Sequence, residues 1–232
     1  MRSFATLSWV FAVFSIGGCA EVTDPGGVPV EMTITSWPGR AAPIRDVKLC
    51  ETDLAHCVTT DANGKATLRL PVGETSFTKE KDGFGPYLVP LVVPEDGLAH
   101  ESGMGTEAFL ETLHKDVVSP HPLGDMGRIS IGISFAGATI DLFDADGPVE
   151  AKRYYVDEGP IWRLDLTATA GDQGGGFLEV SPGEYVVQFG GTAVNCIPVP
   201  TGWPAPFVAN SIKLDVRAGF ITQATATCEQ VP

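Results

Sequence analysis

One stretch of the chain occurs twice, 110 residues apart. Residues 59–74 read TTDANGKATLRLPVGE and residues 169–184 read TAGDQGGGFLEVSPGE. Matching residues recur at this spacing: Gly64 and Gly174, Leu68 and Leu178, Gly73 and Gly183. In each copy an alternating apolar run leads into a Pro-Gly turn, which is typical of a strand with one buried face. The repeat therefore predicts two copies of one β unit and not a single large sandwich.

The rest of the first half also reads as short strands between turns. Apolar runs bounded by Gly, Pro, Asn and Asp occupy residues 30–37, 44–50, 65–70, 75–79 and 87–93. Asn63-Gly64 supplies the positive φ angles that a tight hairpin needs. Residues 31–37 also correspond loosely to residues 129–135, so the strand before the repeated stretch recurs as well. Both halves are therefore expected to be all-β.

The first copy carries a recognisable signature. Thr60-Asp61-Ala62-Asn63-Gly64 followed by Leu70-Pro71-Val72-Gly73 resembles the carboxypeptidase regulatory-like domain, a prealbumin-like (transthyretin-like) Greek-key sandwich related to Cna-B-type domains. The second copy departs from it, because residues 170–174 lack the Thr-Asp start and residues 153–166 form an insertion. The resemblance implies two tandem Greek-key prealbumin-like β-sandwich domains, at 28–94 and, in divergent form, at 127–232. It implies a binding, spacer or scaffolding role and says little about activity.

Residues 95–126 read as a linker between these domains. Within residues 102–118, apolar side chains recur at helical spacing, and Thr106 is placed to cap a helix of about 11 residues. The apolar positions are Phe109, Leu110, Leu113 and Val117. Residues 119–124 (SPHPLG) are rich in proline and follow the helix. We expect a short helix that covers a sandwich face or the junction between the domains.

The N-terminus has the features of a secretory signal. Arg2 precedes an apolar stretch that is too short to span a bilayer. The sequence Ile16-Gly17-Gly18-Cys19 resembles the lipobox of bacterial lipoproteins. The resemblance implies a signal peptide at 1–18, a lipidated Cys19 at the mature N-terminus and a polar tether at 19–27. The alternative is an ordinary signal cleaved after Ala20.

The lipobox resemblance also implies a location. The residue after the cysteine is alanine, and not the aspartate that retains such proteins in the inner membrane. We therefore expect a lipid-anchored protein of the bacterial cell envelope, at the outer membrane, facing either the periplasm or the exterior. No other segment approaches 18 continuous apolar residues, so the lipid would be the only membrane anchor.

The cysteine count agrees with an oxidising compartment. With Cys19 lipidated, an even number remains: Cys50, Cys57, Cys196 and Cys228. Pairing within each half, Cys50 with Cys57 and Cys196 with Cys228, is the most economical of three connectivities. A four-cysteine zinc site needs closely spaced pairs, which the sequence lacks.

Charge and composition limit the partners. Fifteen basic residues against 29 acidic ones give a net charge of −14, which excludes electrostatic binding of nucleic acid. No cofactor motif is present, and we expect a monomer. The expected partners are the membrane, through the lipid, and an unknown envelope protein or glycan.

Two groups of residues are candidates for metal sites. His100, His114 and His121 fall in the connector, but their spacing matches no recognised ligand pair. They are the basis of the alternative hypothesis, a metal-dependent envelope enzyme. Asp144 and Asp146 lie in an Asp-Gly turn that lacks the EF-hand ligand pattern. Whether they bind calcium stays open, and no metal site is predicted.

Exposed aromatic residues in loops are the best candidates for ligand contacts. Trp203 and Phe207 lie in the proline-rich loop 202–207, and Tyr154, Tyr155 and Trp162 lie in the insertion. The alternative is that these rings fill a sandwich end or the domain junction. No catalytic motif such as G-x-S-x-G is present, so the sequence predicts no enzyme. It predicts a non-catalytic binding or scaffolding module for a peptide, protein or carbohydrate.

Overall fold

A computed structural model describes residues 26–39, 42–157, 159–171 and 173–231. The signal peptide, Cys19 and all but the last two residues of the tether lie outside the described residues. The first half contains seven strands, as follows: β1 Val28–Trp37, β2 Lys48–Glu51, β3 Cys57–Thr59, β4 Lys65–Leu70, β5 Gly73–Glu80, β6 Tyr87–Val93 and β7 Leu98–Gly105.

Helix α1, Glu107–Asp116, connects the two halves. The second half contains the remaining strands: β8 Gly127–Gly132, β9 Ala138–Asp144, β10 Gly147–Pro148, β11 Lys152–Asp157, β12 Ile161–Arg163, β13 Gly175–Val180, β14 Gly183–Gly191, β15 Ala193–Pro198, β16 Trp203–Pro204, β17 Ser211–Val216 and β18 Ile221–Gln230. The predicted all-β class is confirmed. Within the described residues, no helix is long and apolar enough to cross a membrane.

The two halves have the same topology. In the first, one sheet has the order β4-β1-β7 and the other contains β3-β2-β5-β6. In the second, β13-β8-β18 and β10-β9-β14-β17 take the corresponding places. The first and last strands pair in parallel in both halves, β1 with β7 and β8 with β18. Each half encloses its own apolar core, centred on residues such as Ile34 and Phe77 in the first and Ile131 and Val187 in the second.

One pair of the repeated glycines has the same structural role in both halves. Gly64 and Gly174 adopt positive φ angles of 71° and 84° just before β4 and β13. A Cβ atom on Gly64 would collide with the backbone oxygen of Ile34, and one on Gly174 with that of Ile131. Any other residue at either position would meet both a strained backbone and a clash. This close approach explains why glycine recurs at a spacing of 110 residues.

The region between the halves differs from the prediction. Residues 98–105 belong to the predicted linker 95–126, yet they form β7, which pairs with β1 along its whole length. The first sandwich therefore extends to Gly105, beyond the predicted boundary at residue 94. The segment LAHESGMG lacks a clear apolar alternation, so only its backbone pairing reveals it as a strand. The helix that follows is confirmed, and Thr106 Oγ1 accepts a hydrogen bond from Phe109 N at 3.3 Å.

Both predicted disulfides are present. Cys50–Cys57 joins the neighbouring strands β2 and β3. Cys196–Cys228 joins β15 to β18. Each bond closes a loop within one half, so neither connects the two sandwiches.

A continuous sheet connects the two sandwiches instead. Strand β18 pairs in parallel with β8 on one side and with β6 on the other. The resulting strand order is β12-β11-β13-β8-β18-β6-β5-β2-β3. Two ion pairs also cross the junction, Arg217 with Asp53 at 2.6 Å and Lys213 with Glu74 at 3.4 Å. Since these pairs are partly exposed to solvent, the backbone pairing and the packing contribute more to the junction.

Trp203 contributes to this junction and is not an exposed loop residue. Its side chain is only 7% exposed. Its Nε1–H group donates to the backbone oxygens of Thr75, at 2.9 Å, and Leu91, at 3.1 Å, both in the first sandwich. The neighbouring Gly202 N donates to Pro90 O at 2.7 Å. The expectation that Trp203 forms an exposed ligand contact is therefore replaced by a structural role at the junction.

We expect Trp203→Ala to lower the free energy of unfolding by about 3 kcal/mol or more, as truncation of a buried tryptophan does. The control is Phe207→Ala in the same loop, because Phe207 is 96% exposed and its loss should change stability little. Denaturant unfolding of both variants measures the difference. Equal, small effects would show that the ring does not hold the two sandwiches together.

Candidate functional site

A cleft of about 910 Å³ lies between the two sandwiches. The first sandwich contributes Trp37, Tyr87 and Gly103 to its walls. The outer face of β8, β11 and β18 forms its floor. This volume is in the range of ordinary ligand sites.

Strand alternation explains why the floor is polar. On β8 and β18, Ile129, Ile131 and Ala224 point into the core of the second sandwich. The side chains between them point the other way, into the cleft: Arg128, Ser130, Gln223, Thr225 and Thr227. Successive residues of a strand face opposite sides, so this surface follows directly from the core pattern.

The aromatic residues of the insertion separate into two groups. Tyr155 lies in the core of the second sandwich, where its hydroxyl accepts a hydrogen bond from Ile140 N at 3.1 Å. Tyr154 and Trp162 face the cleft, and their rings stack with centroids 4.6 Å apart. Both are buried, because α1 packs over this side of the sheet. Among the residues predicted to contact a ligand, Phe207 alone is strongly exposed, and it does not line the cleft.

Arg128 is the main charged residue of the cleft, and the sequence prediction missed it. Its side chain is only 2% exposed. The guanidinium lies 4.5 Å from the Trp162 ring, and its Nη1 atom is 3.4 Å from His114 Nε2. Its Nε atom has no hydrogen-bond partner. Among the described residues, Arg128 forms no ion pair with a carboxylate.

His114 cannot balance this charge. Burial, together with the neighbouring Arg128 guanidinium, lowers the pKa of His114 to about 3, so the ring is neutral at physiological pH. Its ring lies against that of His121, which contacts the Glu107 carboxylate at 2.5 Å. His100 lies elsewhere, on β7 against the Phe77 ring. Within the described residues, no three His, Cys, Asp or Glu side chains are placed to hold a metal ion.

A second buried cation lies beside the cleft. Lys79 on β5 is fully buried, and its Nζ donates to Ser102 Oγ at 2.5 Å, Gln223 Oε1 at 2.9 Å and Gly103 O at 3.1 Å. Ser102 Oγ also donates to Gln223 Oε1 at 2.9 Å. This cluster joins β5, β7 and β18, and therefore both sandwiches. Burial lowers the pKa of Lys79 to about 7.

One signal for Lys79 was present in the sequence. Lys79 is two residues from Phe77, so both side chains lie on the same, inward face of β5. A lysine at such a position needs polar partners inside the protein. Arg128 gave no comparable signal, because an arginine on the outer face of a strand is normally solvated.

The candidate calcium residues form a turn. Asp144 Oδ1 accepts hydrogen bonds from the backbone N–H groups of Asp146, at 2.8 Å, and Gly147, at 3.1 Å. These bonds close the hairpin between β9 and β10. They account for the Asp-Gly pattern without a metal.

The chain is similar to several solved structures at low identity. It has 12% identity and a TM-score of 0.29 to the Bacillus anthracis TIE protein, covering 87% of this chain and 34% of that one. For a streptococcal ancillary pilin the identity is 12%, the TM-score 0.27 and the coverage 90% of this chain and 64% of that one. For BcpA, the major pilin subunit of Bacillus cereus, the identity is 11% and the TM-score 0.27, and the match covers 88% of this chain and 99% of that one.

These similarities are too distant to carry an argument about function. The chain also spans only about a third of the first of these proteins and under two thirds of the second. No protein-family model and no curated protein matches it. The assignment as a pair of β-sandwiches therefore depends on the strand topology described above.

We expect the buried Lys79 to make stability depend on pH. Its pKa is about 7 in the folded state and near 10.5 in the unfolded state, so the unfolded chain binds more protons between these values. The free energy of unfolding should therefore rise with pH in this window, by up to about 1.4 kcal/mol per pH unit from this group.

Denaturant unfolding between pH 7 and pH 9.5 measures this effect. Lys79→Met should flatten the rise, whereas Lys48→Met, which removes an exposed lysine on β2, should preserve it. If wild type and Lys79→Met show the same slope, Lys79 is not a buried titrating amine.

Proposed function

We propose that the protein is a non-catalytic binding module of the bacterial cell envelope and that the cleft between its sandwiches is its binding site. The observation that carries the proposal is Arg128, a buried cation on the cleft floor without a carboxylate partner among the described residues. Buried charges are normally paired, because removing them from water is costly. Aromatic walls and a few placed polar groups complete the usual composition of a ligand site.

The continuous sheet supports a binding role of this kind. Both sandwiches contribute walls to the cleft, and β18 is hydrogen-bonded to strands of both. The walls therefore keep their spacing without a ligand, so little ordering free energy is lost on binding. The same rigidity suits a scaffold that holds its site at a fixed distance from its anchor.

Enzymatic use of Lys79 and Ser102 is the less favoured alternative. A serine beside a lysine of lowered pKa is a combination found in nucleophilic catalysis. Here, however, the three hydrogen bonds of Lys79 hold β5, β7 and β18 together, and both side chains are buried. This arrangement favours a structural role. The histidine-based metal enzyme has no support from the positions of its three histidines.

The anchor is proposed from the sequence. In this proposal the chain is a lipoprotein, with domains of the carboxypeptidase regulatory-like type, attached to the outer membrane through Cys19. It acts as a monomer, with the cleft facing either the periplasm or the exterior. The tether up to residue 27 separates the lipid from β1.

We expect Cys19→Ser to abolish incorporation of radiolabelled palmitate in growing cells, because the serine hydroxyl does not replace the thiol that receives the lipid. Ser15→Ala, in the same leader but outside the lipobox, should keep the label. Autoradiography of the purified protein measures both. A labelled Cys19→Ser protein would contradict the lipoprotein assignment.

Blocking the cleft tests the binding site. Thr227 is exposed at the end of the cleft floor, so Thr227→Trp should obstruct it without disturbing either core. We expect the full chain in mild detergent to be retained on isolated envelope polysaccharide and the variant to lose most of this retention. Thr67→Trp, at an exposed position on β4 away from the cleft, is the matched control. Equal retention of both variants would exclude the cleft as the binding site.

A further inference from the structure

We infer that the cleft binds a sugar bearing a carboxylate, and that Arg128 is the residue that contacts this carboxylate. The inference rests on the proposed function and assigns its ligand class. It combines three observations: a buried guanidinium that no carboxylate of the described residues pairs with, aromatic rings beside it, and a floor of hydroxyl and amide side chains.

The charge of Arg128 indicates an anionic ligand. The chain contains 29 acidic residues, yet no described carboxylate pairs with this buried guanidinium. Arginine keeps its proton at physiological pH, so burial does not neutralise it. Trp162 stabilises the cation through its ring face, but Nε still lacks an acceptor. A carboxylate matches the planar fork of an arginine and would supply the missing acceptors.

The rest of the cleft indicates a sugar. Ser130, Gln223 and Thr225 present hydroxyl and amide groups along the floor, next to Arg128. Trp37 adds ring surface at one side, whereas Trp162 is buried and stacks on Tyr154. A sugar offers hydroxyls to the polar floor and an apolar C–H face to the Trp37 ring. The floor strands β8 and β18 already use their backbone groups in sheet pairing, so recognition depends on side chains.

The net charge of −14 determines how salt should change the affinity for an anionic ligand. Over long distances the chain repels an anionic polymer, and salt screens this repulsion. The contact with buried Arg128 is screened much less. Affinity for a short acidic oligosaccharide should therefore hold or rise as salt is added, in contrast to a surface patch of lysines.

Calorimetric titration of the full chain in mild detergent tests this assignment. The probe is trigalacturonic acid, and its fully methyl-esterified form is the matched control, because it keeps the rings and hydroxyls and loses the charges. We expect the acid to bind at least tenfold more tightly than the ester. Arg128→Met should reduce binding of the acid at least tenfold.

A second variant keeps the test valid if Arg128→Met fails to fold. Ser130 lies two residues from Arg128 on the same face of β8. Ser130→Asp places a carboxylate beside the guanidinium, so it should raise the thermal midpoint and abolish binding of the acid. Ser130→Asn is the control, with the size of aspartate but without its charge: loss of the hydroxyl should weaken the acid and the ester alike, and so keep the preference for the acid.

The outcomes separate this inference from the proposed function. Equal binding of acid and ester, or tight binding after Ser130→Asp, would overturn the role of Arg128. Preferential binding of a short peptide with a free C-terminal carboxylate would overturn the sugar assignment. If neither sugar binds while Thr227→Trp still reduces retention on the envelope, the ligand class is wrong and the binding function stands. If Thr227→Trp has no effect on retention either, both proposals fail.

Discussion

The backbone pairing of β18 is the interaction on which the rest of the structure depends. This strand completes the second sandwich against β8 and also extends the first sandwich through β6. A strand shared in this way cannot leave either partner without exposing unpaired N–H and C=O groups. The position of Trp203 follows from it, because the loop before β17 lies against β5 and β6. The cleft follows too, because its floor includes the outer face of β18.

The sequence predicted the elements that local pattern determines. The repeat at a spacing of 110 residues corresponds to β4 and β13, and Gly64 and Gly174 lie where a Cβ would strike the backbone of the first strand of each unit. The helix was predictable from the capping residue Thr106 and from the helical spacing of the apolar residues after it. The disulfides were predictable because each half of the chain contains two cysteines that can pair with each other. Strand β7 was not, because a run of Gly, Ser and His becomes a strand only through pairing with β1. The pairing of β18 with β6 joins distant residues and leaves no local signal.

The candidate site was predicted only in part, for a physical reason. Aromatic side chains in loops are attractive for binding because they offer a large rigid surface, yet the same area favours burial inside the protein. Sequence alone cannot distinguish these outcomes, since the partner surface is formed by other parts of the chain. Trp203 is buried against the first sandwich and Tyr155 in the core of the second. Tyr154 and Trp162 remain at the cleft, beneath a helix whose position depends on β7.

The two buried cations beside the cleft show how different side chains respond to one environment. Lys79 has three hydrogen-bond acceptors and a pKa lowered to about 7 by burial, so it loses much of its charge without needing an anion. Arg128 cannot lose its charge in this way, because a guanidinium does not release its proton in this pH range. Among the described residues, its neighbours are a neutral histidine, the Trp162 ring and the hydroxyl of Tyr87, whose pKa is raised by burial, and none of them carries negative charge. Arg128, on the floor of the cleft, is therefore the residue whose positive charge a bound anion would balance.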